Sequence, residues 1–354
     1  MAEIFGAGLT HYPALIAPDE DKMYPLLRTL KNDERLPESL KDPMNWPEAM
    51  RVEFGDDDGY TAAQKHRERL VAGFRKVRQE IQAFNPDFVI IFGDDQYENF
   101  REDVITPFCV LAYDEFNCSP FTRADGSARR NVWDEPADKV FNYQGHPEAS
   151  RYLTSGLINQ GVDMAYAYRP LHEPGLAHAF INTLLYLDYD REGFSFPVVP
   201  MAVNCYGRGV ISQKGGALPV KVNGVALEPD PPGPTAKRCM QVGAALARVL
   251  KESPYRVALV ASSSWSHAFL TAKNNYLWPD TSSDREMLSS LKEANYGYWS
   301  NRTTAELEAA GQHELLNWAC MLGAMEELNA KPDYVEWVET DVLTSNKCFA
   351  TFKT

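Results

Sequence analysis

The sequence lacks long hydrophobic runs and has little positive charge. No stretch reaches the roughly 18 apolar residues of a membrane-spanning helix, and the start, MAEIFGAGLTHYPAL, has no basic segment followed by a long apolar one. Its 35 lysines and arginines are outnumbered by 49 acidic residues, giving a net charge of -14. Such a surface repels nucleic acid and anionic lipid. We therefore expect a cytoplasmic protein whose partners are small molecules or proteins, with no nucleic acid and no membrane.

Cysteine is also scarce, and its spacing shows no CxxC pair. This distribution is typical of reduced, buried thiols and does not fit a disulfide framework or a zinc knuckle. Hydrophobic residues make up 44% of the 354 positions and aromatic residues 12%, which is enough to bury a large core. The composition therefore indicates a folded α/β domain or two closely packed lobes, not a disordered chain.

Short apolar runs alternate with longer helical patterns. The runs lack strict alternation of apolar and polar residues, as expected of strands covered on both faces. This order predicts an α/β layered fold with a central, mostly parallel or mixed sheet flanked by helices. The segment 18–60 is polar and rich in proline and aspartate, which predicts a peripheral insertion. The predicted strands lie at residues 4–9, 88–92, 198–203 and 257–261, and the predicted helices at residues 61–84, 147–159, 175–187, 235–251 and 312–329.

Polar residues follow the ends of the predicted strands. In open α/β sheets, ligands bind beyond the carboxyl ends of the strands, so residues 94–96, His11, Asn204 and His267 are the first candidates for chemistry. Small residues precede His267 in VALVASSSWSHAF and would let a ligand approach the backbone. Glu314 lies near the start of an apolar helix, where a carboxylate also favours the positive helix end. The local pattern alone therefore leaves the role of Glu314 open.

The other histidines carry weaker signals, because a lone histidine is more often structural than a ligand. His66 lies in the charged helical stretch KHRERL and is expected to be solvated. His146 opens a predicted helix, which favours a structural role. His313 adjoins Glu314 and should face a different side of the helix, since adjacent helical residues do not share a face.

Seven motifs in the same order resemble the catalytic β-subunit of the class III extradiol ring-cleavage dioxygenases, the LigB family. They cover nearly the whole chain and read THYPAL, PDFVIIFGDDQYENF, GHPEASRYL, VVPMAVNCY, SSWSHAF, HELLNWACMLGAM and TSNKCFATF. The resemblance implies one catalytic domain over residues 1–354, with the insertion at 18–60. It also implies one non-haem Fe(II), held by two histidines and a glutamate, with open positions for a catecholate and O₂.

Carried over to this sequence, the resemblance implies that His11 and Glu314 are iron ligands and that His267 is the catalytic acid/base. The family's second iron histidine follows an aspartate after the second strand, and here Gln96 occupies that place after Asp95. A neutral carboxamide is a weaker donor to Fe(II) than imidazole. A metal set of His11, Gln96 and Glu314 would therefore bind less tightly and with altered redox behaviour.

The resemblance leaves the remaining site positions open. A second nitrogen ligand could come from His178, His172 or His66, and the spacing assigns none of them. The family also carries a histidine before a glycine in the region reading LHEPGLAHAF, where His172 or His178 could stand in. The predicted substrate-binding residues are Asp95, His172, His178 and Asn204.

The leading hypothesis is a non-haem Fe(II)-dependent dioxygenase that opens a catechol-like or aminophenol-like ring with O₂. Because Gln96 replaces a metal histidine, the same fold could instead serve a non-oxidative metal-dependent hydrolase or lyase, or a metal-free variant. A third hypothesis is a binding protein without catalysis. The expected partners are an aromatic substrate and O₂. Homo-oligomerisation stays open, and no small α-subunit domain is evident, although the segment 18–60 could replace one.

Overall fold

The computed structural model describes residues 2–122, 126–172 and 175–354. Within these ranges, strands and helices form layers around one large sheet. The strands are β1 (Glu3–Leu9), β2 (Phe88–Asp94), β3 (Phe108–Leu111), β4 (Glu115–Cys118), β5 (Phe141–Gln144), β6 (Ala165–Ala167), β7 (Val198–Val203), β8 (Lys221–Val222), β9 (Val225–Ala226), β10 (Arg256–Ser262), β11 (Pro332–Val338) and β12 (Lys347–Lys353). The α-helices are α1 (Tyr24–Asn32), α2 (Glu48–Phe54), α3 (Tyr60–Phe84), α4 (Pro147–Asn159), α5 (His178–Leu187), α6 (Ala236–Lys251), α7 (Thr281–Lys292), α8 (Tyr296–Ser300), α9 (Thr304–Ala309) and α10 (Leu315–Glu327).

Eight strands form the central sheet in the order β11-β12-β1-β10-β2-β7-β3-β6. Its centre is parallel, because β1 pairs with β10, β10 with β2 and β2 with β7 in the same direction. Antiparallel pairs lie toward both edges, at β11–β12, β12–β1 and β7–β3. The predicted layered α/β fold with a mixed sheet is confirmed. Two short hairpins, β4–β5 and β8–β9, lie outside this sheet.

The central strands are buried on both faces because helices cover both sides of the sheet. One apolar cluster joins one face to α4, α6 and α10, through residues such as Leu153, Leu246 and Leu322. The other cluster joins the opposite face to α3 and α5, through residues such as Phe74 and Leu184. This arrangement explains why β2, β7 and β10 read as unbroken apolar runs. The predicted strands and helices agree with the observed ones to within a few residues at each end.

The segment 18–60 packs against the layer that contains α3. It contributes α1 and α2 and buries Leu26, Trp46 and Met50 in the second apolar cluster. Burial of these large side chains fixes the segment on the domain. As a consequence, α1 forms part of the wall of a cavity that Gln96 also lines.

Two predictions from composition agree with the structure. All six cysteines are buried free thiols, as expected from their scattered positions. Among the described residues, no helix combines the length and the apolar character needed to cross a bilayer.

Candidate metal and catalytic site

The candidate site lies where the central parallel strands end. His11 follows β1 by two residues, Asp94 is the last residue of β2, and His267 follows the end of β10. Glu314 immediately precedes α10. Because parallel strands present their carboxyl ends at one edge of the sheet, four polar side chains that are distant in sequence meet in one buried pocket.

His11 directs one ring nitrogen into this pocket. Its Nε2 lies 3.4 Å from Oε2 of Glu314 and 3.7 Å from Oδ1 of Asp94, and the residue is only 1% exposed. On the other side of the ring, Nδ1 lies 3.2 Å from the carbonyl oxygen of Ser262. Nδ1 also lies 3.1 Å from the hydroxyl oxygen of Ser262, so Ser262 orients the ring. Nε2 faces the two carboxylates and is the ring nitrogen that would bind a metal held there.

Glu314 is an ionised carboxylate surrounded by hydrogen-bond donors. Its Oε2 accepts from the backbone N–H of Ser264 at 3.0 Å, and its Oε1 accepts from the hydroxyl of Tyr206 at 2.9 Å. Burial raises the pKa of Glu314, but the imidazoles of His267 and His11 outweigh burial and hold this pKa well below its usual range. The negative charge of Glu314 is therefore kept in the pocket.

Asp94 is a further buried carboxylate of the pocket. Its Oδ1 accepts from Nδ2 of Asn317 at 3.2 Å, and its Oδ2 accepts from Nε2 of Gln96 at 3.0 Å. Burial and the charge of Glu314 raise the pKa of Asp94. Asp94 is one of the candidates at the strand ends, but it is not among the predicted metal, catalytic or substrate-binding residues. The side chains of Asp94 and Asp95 point to opposite faces of the strand end, which follows from the alternation of side chains along a strand.

His178, the first residue of α5, reaches the same pocket. Its Nδ1 lies 2.9 Å from Oε2 of Glu98, and its backbone N–H donates to Oε1 of Glu98 at 3.0 Å. The rings of His178 and His11 meet edge to face, with centroids 5.0 Å apart. Burial lowers the pKa of His178, but the carboxylate of Glu98 outweighs it and raises this pKa to about 9. The pocket thus stabilises positive charge.

Gln96 lies with its carboxamide between the two buried carboxylates. Its Nε2 donates to Asp94 at 3.0 Å and to Oε1 of Glu314 at 3.3 Å. Gly215, which has a φ of +64°, packs directly on Gln96, and a Cβ at position 215 would lie 2.5 Å from the Cβ of Gln96. The contact fixes the Gln96 side chain toward the pocket.

His267 contacts the same carboxylate oxygen of Glu314 that Gln96 contacts. Its Nε2 lies 3.2 Å from Oε1 of Glu314, while its buried Nδ1 has no hydrogen-bond partner among the described residues. Burial lowers the pKa of His267, but the charge of Glu314 outweighs this and raises it. His267 can therefore hold a proton inside the pocket.

Asp95 accepts hydrogen bonds from the loop that follows β2. Its carboxylate accepts the backbone N–H groups of Glu98, Asn99 and Phe100 at 3.0, 2.7 and 3.3 Å. Burial and the neighbouring Glu98 raise the pKa of Asp95 to about 7. These three hydrogen bonds shape the loop that carries Gln96 and Glu98.

Two other predicted substrate-binding residues make contacts of their own in loops. Oδ1 of Asn204 accepts the backbone N–H of Gly207 at 2.8 Å and so stabilises the turn after β7. Nε2 of His172 pairs with Oδ1 of Asp103 at 2.6 Å, in a partly exposed pair. Neither contact involves a side chain of the pocket around Glu314.

The remaining histidines include one incorrect prediction. His66 was expected to be solvated, but it is 5% exposed and its ring packs edge to face on Tyr12, with centroids 5.4 Å apart. The charged residues around it occupy other faces of α3, so the stretch looks solvated although position 66 faces inward. His66 borders a cavity of about 620 Å³ that none of the predicted metal or catalytic residues line.

The structural role of His146 is confirmed, because its Nδ1 caps α4 by accepting the N–H of Ala149.

A cavity of about 240 Å³ adjoins the candidate site. Gln96 forms one wall, and Phe269, two residues after His267, forms another. The outer wall comes from α1, with Leu26 and Arg28, and from residues 215–218. A small aromatic molecule in this cavity would therefore lie next to the buried polar cluster.

The donor set fits a divalent transition metal. Ligand-capable atoms of His11, Asp94 and His178 all lie within 4.8 Å of one another. The bound of 4.8 Å is slightly larger than the roughly 4.4 Å that two atoms bound to one ion through bonds of about 2.2 Å can span, so a small inward shift would bring all three within reach of one ion. Imidazole and carboxylate together are the ligands of non-haem Fe(II) sites.

Comparisons with known proteins point to one kind of enzyme. A family described as the catalytic LigB subunit of aromatic ring-opening dioxygenase matches residues 55–350. A 2,3-dihydroxyphenylpropionate/2,3-dihydroxicinnamic acid 1,2-dioxygenase 2 from Pseudomonas putida is 29% identical over 195 residues, covering 54% of this chain and 47% of the relative. A similarly named dioxygenase from Photorhabdus laumondii is 22% identical over 206 residues, covering 58% of this chain and 50% of the relative. The matches thus span about half the length of these relatives.

Proposed function

The chain belongs to the LigB family of catalytic subunits of aromatic ring-opening dioxygenases, and from this premise we propose that it is an Fe(II)-dependent extradiol dioxygenase. It opens a catechol-like or aminophenol-like ring with O₂. The proposal rests on one observation, the contact of His11 and His267 with Glu314. Both imidazoles lie within 3.4 Å of this one buried carboxylate, at the carboxyl end of the sheet.

In this proposal, His11 and Glu314 hold the metal, and Gln96 stands at the position where the resemblance implies a third ligand. Bound Fe(II) supplies the electron transfer that lets O₂ react with the ring. The protein keeps the two ligands oriented: Ser262 holds the far nitrogen of the His11 ring, while Ser264 and Tyr206 hold the carboxylate of Glu314. Such outer contacts fix ligand geometry before any ion binds.

His267 is the proposed acid/base. Its imidazole ring accepts the proton of a substrate hydroxyl. Glu314 orients this ring, because its Oε1 lies 3.2 Å from Nε2 of His267. Burial excludes bulk water from this exchange, so the proton stays available for the later ring-opening step. Proton transfer by a positioned side chain is typically worth about 10²- to 10⁴-fold in rate.

The proposed substrate is a catechol with an acidic side chain. The cavity of about 240 Å³ leads from α1 to Gln96, and Arg28 lines its outer wall. Asp33 in the same wall is already paired with Arg35, whose Nη2 lies 2.8 Å from Oδ2 of Asp33. Arg28 is therefore available to a carboxylate on the substrate, consistent with relatives named for dihydroxyphenylpropionate.

We further propose that residues 1–354 work as one cytoplasmic catalytic domain. The family match begins at residue 55, whereas the cavity wall formed by α1 lies before that point. The segment 18–60 would thus provide part of the cover over the site that a separate small subunit provides in some members of the family.

The test is O₂ consumption by the purified protein after anaerobic loading with Fe(II). The panel is 2,3-dihydroxyphenylpropionate, catechol, 2-aminophenol and, as a control without ortho heteroatoms, hydroquinone. We expect O₂ uptake and a new visible absorbance from the ring-opened product with at least one ortho compound and none with hydroquinone. Full turnover by the metal-free protein, or no turnover of any ortho compound by protein that retains Fe(II), would overturn the proposal.

The second candidate, a non-oxidative metal-dependent hydrolase or lyase, is favoured by one observation. Gln96 occupies the place of a metal histidine, and its carboxamide hydrogen-bonds both buried carboxylates. This candidate predicts that the metal-loaded protein transforms a substrate under strict exclusion of O₂, whereas the dioxygenase proposal predicts no anaerobic product.

A further inference from the structure

Resting on the proposed function, we propose that His178, and not Gln96, completes the metal site and is its second nitrogen ligand. The loop after β2 has no nitrogen ligand at position 96, and α5 supplies one instead. The ion would then lie among His11, His178 and the carboxylates of Asp94 and Glu314. Gln96 would act as a positioning residue for these carboxylates.

The first argument is position. His178 is one of three residues, with His11 and Asp94, whose ligand-capable atoms all lie within 4.8 Å of one another. The rings of His178 and His11 stand edge to face at 5.0 Å. Two imidazoles arranged in this way can each direct a nitrogen to one ion without their rings clashing.

The second argument is the contact between His178 and Glu98. Oε2 of Glu98 lies 2.9 Å from Nδ1 of His178, and Oε1 accepts the backbone N–H of the same residue. A metal-binding histidine usually donates its other ring N–H to a carboxylate, which fixes the tautomer and the ring orientation. Glu98 makes this contact at Nδ1, so Nε2 is the ring nitrogen that would face the ion.

The third argument is the orientation of Gln96. Its Nε2 donates to Asp94 and to Glu314, so the amide group presents its donors to the two carboxylates. An N–H cannot ligate a cation. The favourable contacts of Gln96 are therefore with the ligands and not with the ion.

The arrangement also explains how one loop serves two residues. Gln96 and Glu98 lie two residues apart in the loop after β2, whose shape is fixed by Asp95. Gln96 reaches the carboxylates while Glu98 reaches His178. In the family, this loop carries the second metal histidine. Here it carries Glu98, which orients His178 as the replacement ligand.

The experiment is anaerobic titration of the full chain with Fe(II), measured by calorimetry, with folding checked by circular dichroism. We expect His178→Ala to weaken Fe(II) binding more than 100-fold and Glu98→Gln to weaken it by roughly 10- to 100-fold. His146→Asn is the matched control, because it removes a histidine far from the site and keeps a residue that caps helices. Its affinity should equal that of the wild type.

Rescue gives the sharper readout. If the two positions supply the same ligand, Gln96→His combined with His178→Ala should recover most of the affinity lost in His178→Ala alone. Pulsed electron paramagnetic resonance of the Cu(II)-loaded protein should show one fewer coordinated imidazole in His178→Ala than in the wild type. Both readouts are independent of turnover.

The outcomes separate the two proposals. Folded His178→Ala with wild-type Fe(II) affinity and an unchanged imidazole count would overturn the role of His178 and leave the dioxygenase proposal intact. An affinity lost in Gln96→Leu but kept in His178→Ala would assign the ligand to Gln96. If the wild type binds no Fe(II), the metal and the dioxygenase proposal are both overturned.

Discussion

Asp94 and Asp95 are neighbours in the sequence, yet their carboxylates have separate tasks. Asp94 faces the buried cluster and contacts Asn317 and Gln96, whereas Asp95 faces the loop and accepts three backbone N–H groups. One step along a strand end reverses the direction of a side chain. The chemistry of the pocket therefore depends on single-residue register at the end of β2.

Replacing His267 tests its proposed role as an acid/base. We expect His267→Ala to lower kcat by about 10²- to 10⁴-fold and to leave the Fe(II) content nearly unchanged, because the other donors remain. Steady-state O₂ uptake and iron analysis of the same sample measure both quantities, with His146→Asn as the reference. Loss of iron in His267→Ala would instead make His267 a ligand.

Replacing Asp95 distinguishes a loop role from substrate binding. Asp95→Ala leaves backbone donors of the loop without their acceptor, so we expect a loss of stability of about 1–3 kcal/mol. Thermal or urea unfolding measures this loss. Fe(II) affinity should fall as well, because the loop positions Gln96 and Glu98. A raised KM with unchanged stability and unchanged iron affinity would restore Asp95 to the substrate-binding set.

At the scale of elements, α6 and α10 touch through their backbones. A Cβ on Gly243 of α6 would lie 1.8 Å from the carbonyl oxygen of Cys320, and a Cβ on Gly323 of α10 would lie 2.0 Å from that of Met240. Each glycine therefore allows the other helix to approach. Because α10 begins directly after Glu314, this close packing also fixes the carboxylate of the candidate site.

We expect Gly243→Ala and Gly323→Ala each to destabilise the protein by about 1–3 kcal/mol or more, because backbone atoms cannot move aside as a flexible side chain can. Denaturant unfolding measures the effect. Gly297→Ala in α8 is the control, since the nearest atom to its added Cβ is Oδ1 of Asn295 at 3.7 Å. Equal midpoints for Gly243→Ala and Gly297→Ala would contradict this account of the helix pair.

The sequence was sufficient to predict four of the eight strands of the central sheet, five of the helices and part of the site. The outer strands β3, β6, β11 and β12 were not predicted. Buried strands and amphipathic helices are local patterns, so β1, β2, β7 and β10 were predicted nearly to the residue. His11 and His267 were found because strand ends meet at one edge. The place of His178 depends on how the loops around α5 pack against Glu98, and no local pattern records that contact. The prediction that His66 is solvated was wrong, because the residues around it are mostly charged although position 66 itself faces the interior.

At the scale of the whole molecule, an acidic chain with a net charge of -14 carries an arginine on the wall of its candidate substrate cavity. The overall charge opposes the approach of an anionic substrate, so a local cation has to provide the attraction. Arg28 belongs to α1, which lies outside the range of the family match. Substrate preference would therefore come from the segment 18–60, and ring opening from the sheet.

This division can be tested with Arg28→Gln, which removes the charge and keeps a polar side chain. A charge-assisted hydrogen bond contributes about 1.5–3 kcal/mol, so we expect KM for 2,3-dihydroxyphenylpropionate to rise at least about 10-fold, with kcat little changed. KM for unsubstituted catechol should not move, because catechol has no carboxylate. Arg151→Gln, at an exposed position on α4, is the matched control and should behave as the wild type with both compounds. A parallel rise in KM for both substrates would mean that Arg28 shapes the cavity without recognising charge, and unchanged values for both would place the substrate carboxylate elsewhere.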